Sequence, residues 1–183
     1  MVHKLRLTAY GLQLTTNRSS RAGRPFSLFF LSFLSLTLFS CGQKNILDEE
    51  RLFAGNIWNR FTPEKFEATV HNTDDYYNID LTVSVDTALF RYTSLPLTVN
   101  IYSPGGEHRM FYSEVTLKEN GRWKGEARDS LRTVGTHVRT FFSFNGKGTH
   151  RIEIGQATSQ YDLEGVHSIE MDIYKVKLDY GDL

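Results

Sequence analysis

The chain contains 183 residues, of which 40% are hydrophobic, 13% aromatic and 23% charged, a composition typical of a globular domain. Its formal net charge is zero, yet the first 40 residues hold five basic side chains and no acidic one, which leaves 16 basic against 21 acidic residues in the remainder. A folded part with this acidic balance lacks the basic surface that phosphate binding requires, so nucleic-acid binding is excluded.

Residues 1–40 have the organisation of an export signal peptide. Basic residues occur up to Arg24 and are followed by "PFSLFFLSFLSLTLFS", an apolar stretch that ends in a small residue, Ser40. The stretch is short for a membrane span, which needs about 20 apolar residues. We therefore predict that residues 1–40 are removed after Ser40, with a transmembrane anchor or a buried core helix as the alternatives.

The single cysteine of the chain, Cys41, follows this stretch directly. Leu38-Phe39-Ser40-Cys41 resembles the lipobox of bacterial lipoproteins, and Gly42 comes next. The resemblance implies diacylglycerol on the Cys41 sulfur, cleavage between Ser40 and Cys41, and membrane anchoring by acyl chains such as palmitate. Each buried methylene contributes roughly 0.8 kcal/mol, so two or more chains anchor a protein stably. The alternative is a chance buried thiol, although a lone cysteine in an exported protein has no internal disulfide partner.

The next stretch, "GQKNILDEERLFAGN", is polar and without strand alternation, so residues 41–56 are predicted to be the lipidated cysteine and a polar tether. Beyond it, apolar and polar residues alternate in "EKFEATVH", "YNIDLTVSVD", "LPLTVNIY", "RMFYSEVTL", "HVRTFFSF", "HRIEIGQ" and "HSIEMDIYKV". The turn-forming segments "SPGGE", "ENGRW" and "NGKG" separate several of these stretches. About eight strands without helical periodicity predict an all-β domain over residues 57–183, an antiparallel β-sandwich of jelly-roll or Greek-key type.

One stretch resembles a catalytic motif. "IEMDIY" is similar to part of the E-x-D-x-x-E strand of retaining β-sandwich glucanases, in which alternate acids project to one side. Glu170 and Asp172 fit that spacing, but Tyr174 or Lys175 stands where the third acid belongs. Because Ile169 and its alternate neighbours are apolar, we interpret the acids as the solvated face of a strand.

Other site chemistry finds little support in the sequence. Asp74 and Asp75 lack the spaced ligands of a calcium loop, and no nucleophile motif of the G-x-S-x-G type occurs. The histidines show no zinc-binding spacing; they are His71, His108, His137, His150 and His167. We expect no catalytic residues, no metal and no cofactor.

Aromatic side chains offer a possible binding face. Trp58 and Trp123 are expected mainly in the core, whereas Tyr76 and Tyr77 adjoin a polar turn. An exposed group that includes Tyr76, Tyr77 and Trp123 could stack on sugar rings or a partner protein. A glycan-binding module is therefore the alternative function.

The order and spacing of several segments resemble one family as a whole. After Cys41 come Trp58, "YYNIDLTVSVD", "FRYTSLPLTV", "SPGG", "NGRWKG", "GTHRIEIGQA" and "DLEGVHSIEMDI", and this series is similar to GldH, the gliding-motility-associated lipoprotein family of the Bacteroidetes. The acidic tail after the last segment departs from the family pattern.

The resemblance implies a non-enzymatic, lipid-anchored envelope protein that works with proteins of the gliding and type IX secretion machinery. Surface-exported lipoproteins of this phylum tend to carry acids directly after the cysteine. Here residues 42–45 are not acidic, which favours an outer-membrane anchor that faces the periplasm.

Overall fold

The computed structural model describes residues 45–177 of the chain. They form thirteen β-strands and one short 3-10 turn, Ala54–Asn56. The strands are β1 (Asn45–Leu52), β2 (Ile57–Asn59), β3 (Glu64–Val70), β4 (Tyr76–Asp86), β5 (Ser94–Tyr102), β6 (His108–Thr116), β7 (Lys118–Glu119), β8 (Arg122–Trp123), β9 (Glu126–Arg128), β10 (Leu131–Phe142), β11 (Gly148–Gln156), β12 (Asp162–Glu164) and β13 (Val166–Val176).

The strands form two main antiparallel sheets. One sheet has five strands in the order β1-β13-β4-β10-β9, and the other has four in the order β3-β11-β5-β6. Two small ribbons, β2 with β12 and β7 with β8, cover one end. All of these strand pairings are antiparallel.

Strict alternation along the long strands builds the core between the two sheets. In β4, Ile79, Leu81 and Val83 are fully buried, while the residues between them are partly exposed. The other sheet contributes Leu97 and Val99 of β5 in the same way. Both inner faces belong to one cluster of buried side chains. The predicted all-β antiparallel sandwich is confirmed.

The number of strands exceeds the predicted eight. All seven alternating stretches of the sequence become long strands, namely β3, β4, β5, β6, β10, β11 and β13. The additional strands are β1 and five segments of two or three residues. Segments this short contain no period from which a strand could be predicted.

The predicted tether over residues 41–56, and with it the predicted domain start at residue 57, is wrong from Asn45 onward. Residues Asn45–Leu52 are an edge strand that pairs with β13 over nearly its whole length. Leu47 is 4% exposed, and the Arg51 guanidinium lies 4.7 Å from the centre of the Phe66 ring in the opposite sheet. The segment is polar because an edge strand exposes most of its side chains, and not because it is a linker.

The direction of each strand defines two ends of the sandwich. At the Asn45 end lie the start of β1, the loops 71–75, 103–107 and 143–147, and the end of β13. At the opposite end, here the Leu52 end, lie the end of β1, the two small ribbons and the loops 87–93 and 157–161.

Candidate functional site

The residues predicted for processing and acylation, Leu38, Ser40, Cys41 and Gly42, lie outside the described residues. The described part begins at Asn45, four positions after Cys41, and that residue already belongs to β1. The acylation site therefore stays a prediction from the sequence.

The three aromatic residues predicted as a possible binding face do not lie together. Tyr77 is 2% exposed and packs edge-on against Phe144 at 5.4 Å between ring centres. Tyr76 faces the other side of the same sheet and is 36% exposed. Trp123 lies at the Leu52 end, half-buried beneath Lys118, whose Nζ is 4.0 Å from the centre of the Trp123 rings. Trp58, in contrast, is buried as expected.

Sequence reasoning missed a cluster of carboxylates on the outer face of the five-stranded sheet. Asp172 of β13 is directly opposite Asp48 of β1 on one side and Asp80 of β4 on the other. One step along the sheet, Glu170 is opposite Glu50. We call these five residues the carboxylate cluster. Like charges in directly opposite positions repel each other and destabilise a sheet.

Asp80 is the member of the cluster with the most hydrogen bonds. Its Oδ1 lies 2.7 Å from Nδ1 of His137, and its Oδ2 accepts a hydrogen bond of 3.1 Å from the Tyr174 hydroxyl. The same hydroxyl accepts a bond of 3.3 Å from Asn78 Nδ2. Asp172 contrasts with Asp80, because its buried Oδ1 has no hydrogen-bond partner within the described residues.

The surroundings of the cluster favour the protonated form of two of its members. Burial, together with the negative charges of Asp48, Asp80 and Glu170, raises the pKa of Asp172 to about 6. Burial is also the main cause that raises the pKa of Glu170, and Asp48 and Glu50 add to it. Asp172 and Glu170 therefore release their protons at a higher pH than isolated carboxyl groups do.

A shallow depression of about 360 Å³ adjoins the cluster on the same face. Its floor consists of the small hydroxyl side chains Thr82, Ser84, Thr133 and Ser168, with Glu50 and Glu170 on one side and Arg128 on another. Its lining includes no phenylalanine, tyrosine or tryptophan. A sugar ring that entered the depression would find hydrogen-bonding groups and the His167 imidazole, but none of the large aromatic rings on which sugars usually stack.

The cluster supplies the carboxyl groups that the glucanase-like stretch lacked, but from other strands. Tyr174 occupies the next outward position of β13, and the additional acids come from β1 and β4. A glycosidase places two carboxyl groups on either side of the bond that it cleaves, whereas here the acids lie side by side on an open sheet. Among the described residues, no group of three His, Cys, Asp or Glu side chains has an arrangement that could hold a metal ion.

The sequence contains part of the signal for this cluster. Asp80, Glu170 and Asp172 occupy outward positions that alternation already predicts. Their proximity depends on the pairing of β13 with β4 and β1, and strand order cannot be derived from alternation. Asp48 and Glu50 were missed because their segment was interpreted as a tether.

The comparison with protein families decides which family the chain belongs to. The model of the GldH lipoprotein family matches residues 45–173, which run from the first residue of β1 into β13. The chain belongs to the GldH lipoprotein family. The predicted resemblance is thereby confirmed, and the match includes β1, so the first strand is part of the GldH lipoprotein domain.

Comparisons with individual proteins add little to the family assignment of this GldH lipoprotein. No curated protein matches it. A serine protease of Aeromonas sobria is similar with 12% identity and a TM-score of 0.30, over 80% of this chain and 29% of the protease chain. The same protease in complex with its chaperone ORF2 has 12% identity and a TM-score of 0.31, with the same coverage. A structure of Desmodium yellow mottle tymovirus has 9% identity and a TM-score of 0.19 over the full length of both chains.

Membrane association of a lipoprotein family rests on acyl chains. Within residues 45–177, helices of the length and apolar character that crossing a bilayer requires are absent.

Proposed function

We propose that this GldH-family lipoprotein is a non-enzymatic component of the cell envelope that is associated with the gliding-motility and type IX secretion machinery. The observation that carries the proposal is the family match over residues 45–173. In this proposal, acyl chains on Cys41 anchor the protein in the outer membrane, and the domain faces the periplasm. The lipobox-like segment before Cys41 and the absence of acids in residues 42–45 support this placement.

Substitution of the anchoring residue tests the proposal in the native cell. Cys41→Ser removes the sulfur that would carry diacylglycerol, so the protein should leave the membrane fraction, and colony spreading or type IX secretion should fall. Ser40→Ala is the matched control, because it keeps a small residue before the cysteine and should preserve processing and function. Normal spreading and secretion with a Cys41→Ser protein that has left the membrane would contradict the role of the anchor.

The non-enzymatic part of the proposal has a separate test in the carboxylate cluster. The acids of the cluster lie on an open sheet face, and the lining of the adjoining depression includes no phenylalanine, tyrosine or tryptophan. The double variant Glu170→Gln/Asp172→Asn should therefore support spreading and secretion at the level of the wild type. Loss of function in this variant, with normal abundance and membrane attachment, would contradict the proposal and favour a catalytic role for the cluster.

A further inference from the structure

The chain between the proposed anchor and the first strand is very short. Only residues 42–44 separate Cys41 from Asn45. A fully extended chain spans at most about 3.6 Å per residue, so the Cα atom of Asn45 stays within about 14 Å of the Cα atom of Cys41. If Cys41 is acylated as proposed above, the Asn45 end of the sandwich is held next to the headgroups of the bilayer.

An exposed phenylalanine in an unusual backbone conformation lies at this same end. Phe141 has a φ of 51° and is 52% exposed. Bulky side chains rarely adopt this left-handed conformation, because the Cβ atom comes too close to the following carbonyl oxygen. The Phe141 N–H donates a hydrogen bond of 3.1 Å to Oδ1 of Asn78, which holds the conformation in place. The fold therefore maintains an unfavourable backbone geometry that keeps an apolar ring in contact with solvent.

A second exposed aromatic ring lies at the same end of the sandwich. Tyr76 is on the outward face of β4, two residues before Asn78, and its strand position is opposite Val176 at the end of β13. Tyr76 is 36% exposed. Phe141 at the end of β10 and Tyr76 at the start of β4 are thus two exposed aromatic side chains at the Asn45 end of the sheet.

The described residues of the Asn45 end carry a small excess of basic side chains. Lys147 and Lys177 are exposed there, as is Asp74, whereas Lys175 pairs with Asp75 at 2.6 Å and Arg109 pairs with Glu107 at 2.8 Å. Basic residues close to a membrane surface are attracted by anionic headgroups. Tyrosine favours the headgroup level, where its ring is apolar and its hydroxyl is hydrated. The wholly apolar ring of phenylalanine favours the adjacent boundary between headgroups and acyl chains.

We propose that the Asn45 end of the sandwich rests on the bilayer surface, with Tyr76 at the level of the headgroups and Phe141 at their boundary with the acyl chains. The domain is then held in one orientation, and the Leu52 end, with its two ribbons, faces away from the membrane. This inference depends on the acylation proposed for Cys41, but it concerns a lipid-contacting surface that acylation alone does not require.

The experiment uses the acylated full mature protein in vesicles of phosphatidylethanolamine and phosphatidylglycerol. Since Cys41 is the only cysteine of the chain, an introduced cysteine is the only free thiol once Cys41 is acylated. One fluorescent label is placed at Ser143→Cys, in the loop that follows Phe141. The matched control is Ser159→Cys, an exposed serine at the Leu52 end. Flotation of the vesicles shows whether the protein is anchored.

The label at position 143 should be quenched severalfold more strongly by lipids that carry a spin label near the headgroup than the label at position 159. Phe141→Asn should reduce this quenching without unfolding the domain, because asparagine accepts the left-handed conformation more readily than phenylalanine. A protein that floats but shows equal quenching at both positions would overturn the inference and leave the anchor intact. A protein that does not float would contradict the acylation of Cys41 itself.

Discussion

The side chain of Asp172 makes the stability of the folded domain depend on pH. Its carboxyl group is half-buried between Asp48 and Asp80, and the pKa of about 6 is well above the value of about 3.9 in an unfolded chain. The folded state therefore binds this proton more tightly than the unfolded state does. The contribution of this proton to stability is fully present below about pH 4 and is lost as the pH rises through about 6.

Because the folded state binds this proton more tightly, we predict that the domain becomes more stable when the pH falls from 7.5 to 5. The gain from Asp172 should be about 0.5–1 kcal/mol, because the two pKa values give about 1.4 kcal/mol at pH 5 and solvent screens this partly exposed group. The free energy of unfolding in urea, measured across this pH range, checks the prediction. Asp172→Asn should raise the stability at pH 7.5 and flatten the profile.

The control for this measurement is Glu126→Gln, since Glu126 is an exposed carboxyl group on β9 of the same sheet. It should leave both the stability at pH 7.5 and the slope of the profile close to those of the wild type. If the wild type and Asp172→Asn showed the same slope between pH 7.5 and pH 5, the raised pKa of Asp172 would be wrong.

The strand β1 pairs with its neighbour β13 against the repulsion of like charges. It contributes one well-buried side chain, Leu47, to the core, and it places Asp48 and Glu50 opposite acids of β13. Toward the other sheet, Arg51 donates a hydrogen bond of 3.1 Å to the Lys65 carbonyl oxygen and packs on the Phe66 ring. The contacts of Leu47 and Arg51 thus keep β1 paired with β13, although the like charges of the carboxylate cluster repel each other.

A charge reversal in β1 should relieve part of this repulsion. Glu50→Lys converts the pair with Glu170 from repulsive to attractive and should stabilise the domain by about 0.5–1 kcal/mol at pH 7.5. Glu49→Lys in the same strand should act in the opposite direction, because Glu49 forms an ion pair of 2.5 Å with Arg51. Thermal unfolding of the two variants at low salt distinguishes them. Equal destabilisation by both would show that β1 does not pair with β13 in this register.

The comparison of β4 with β1 shows what the sequence could predict at the level of elements. In β4 every second residue from Tyr77 to Val85 is buried. The alternation that predicted the strand therefore also predicts that Tyr77 is buried. In β1 only Leu47 is buried, and a single buried position defines no period. An edge strand is specified by its neighbour, β13, and that information is not local in the sequence.

The carboxylate cluster, too, could be predicted only in the part that depends on local sequence. The outward direction of Glu170 and Asp172 was predicted correctly from the apolar residues between them. Their approach to Asp48 and Asp80 depends on strand order, and the raised pKa of Asp172 depends in turn on that approach. Local patterns therefore predicted which side chains face solvent, but not which of them face each other.

At the scale of the whole molecule, the proposed function depends on where the anchor holds the sandwich domain. The family match and the strand β1 both begin at Asn45, four residues after Cys41. A domain attached so closely has little freedom to rotate away from the surface that holds it. Its Leu52 end would then be presented to other envelope proteins at a fixed height above the membrane.

Mass spectrometry of the mature protein, extracted with detergent from its native membranes, tests the central claim most directly. The account predicts a chain that begins at Cys41 and carries diacylglycerol on the Cys41 sulfur, with residues 1–40 removed. An N-terminal peptide with a free Cys41 thiol, or a chain that still contains residues 1–40, would contradict it.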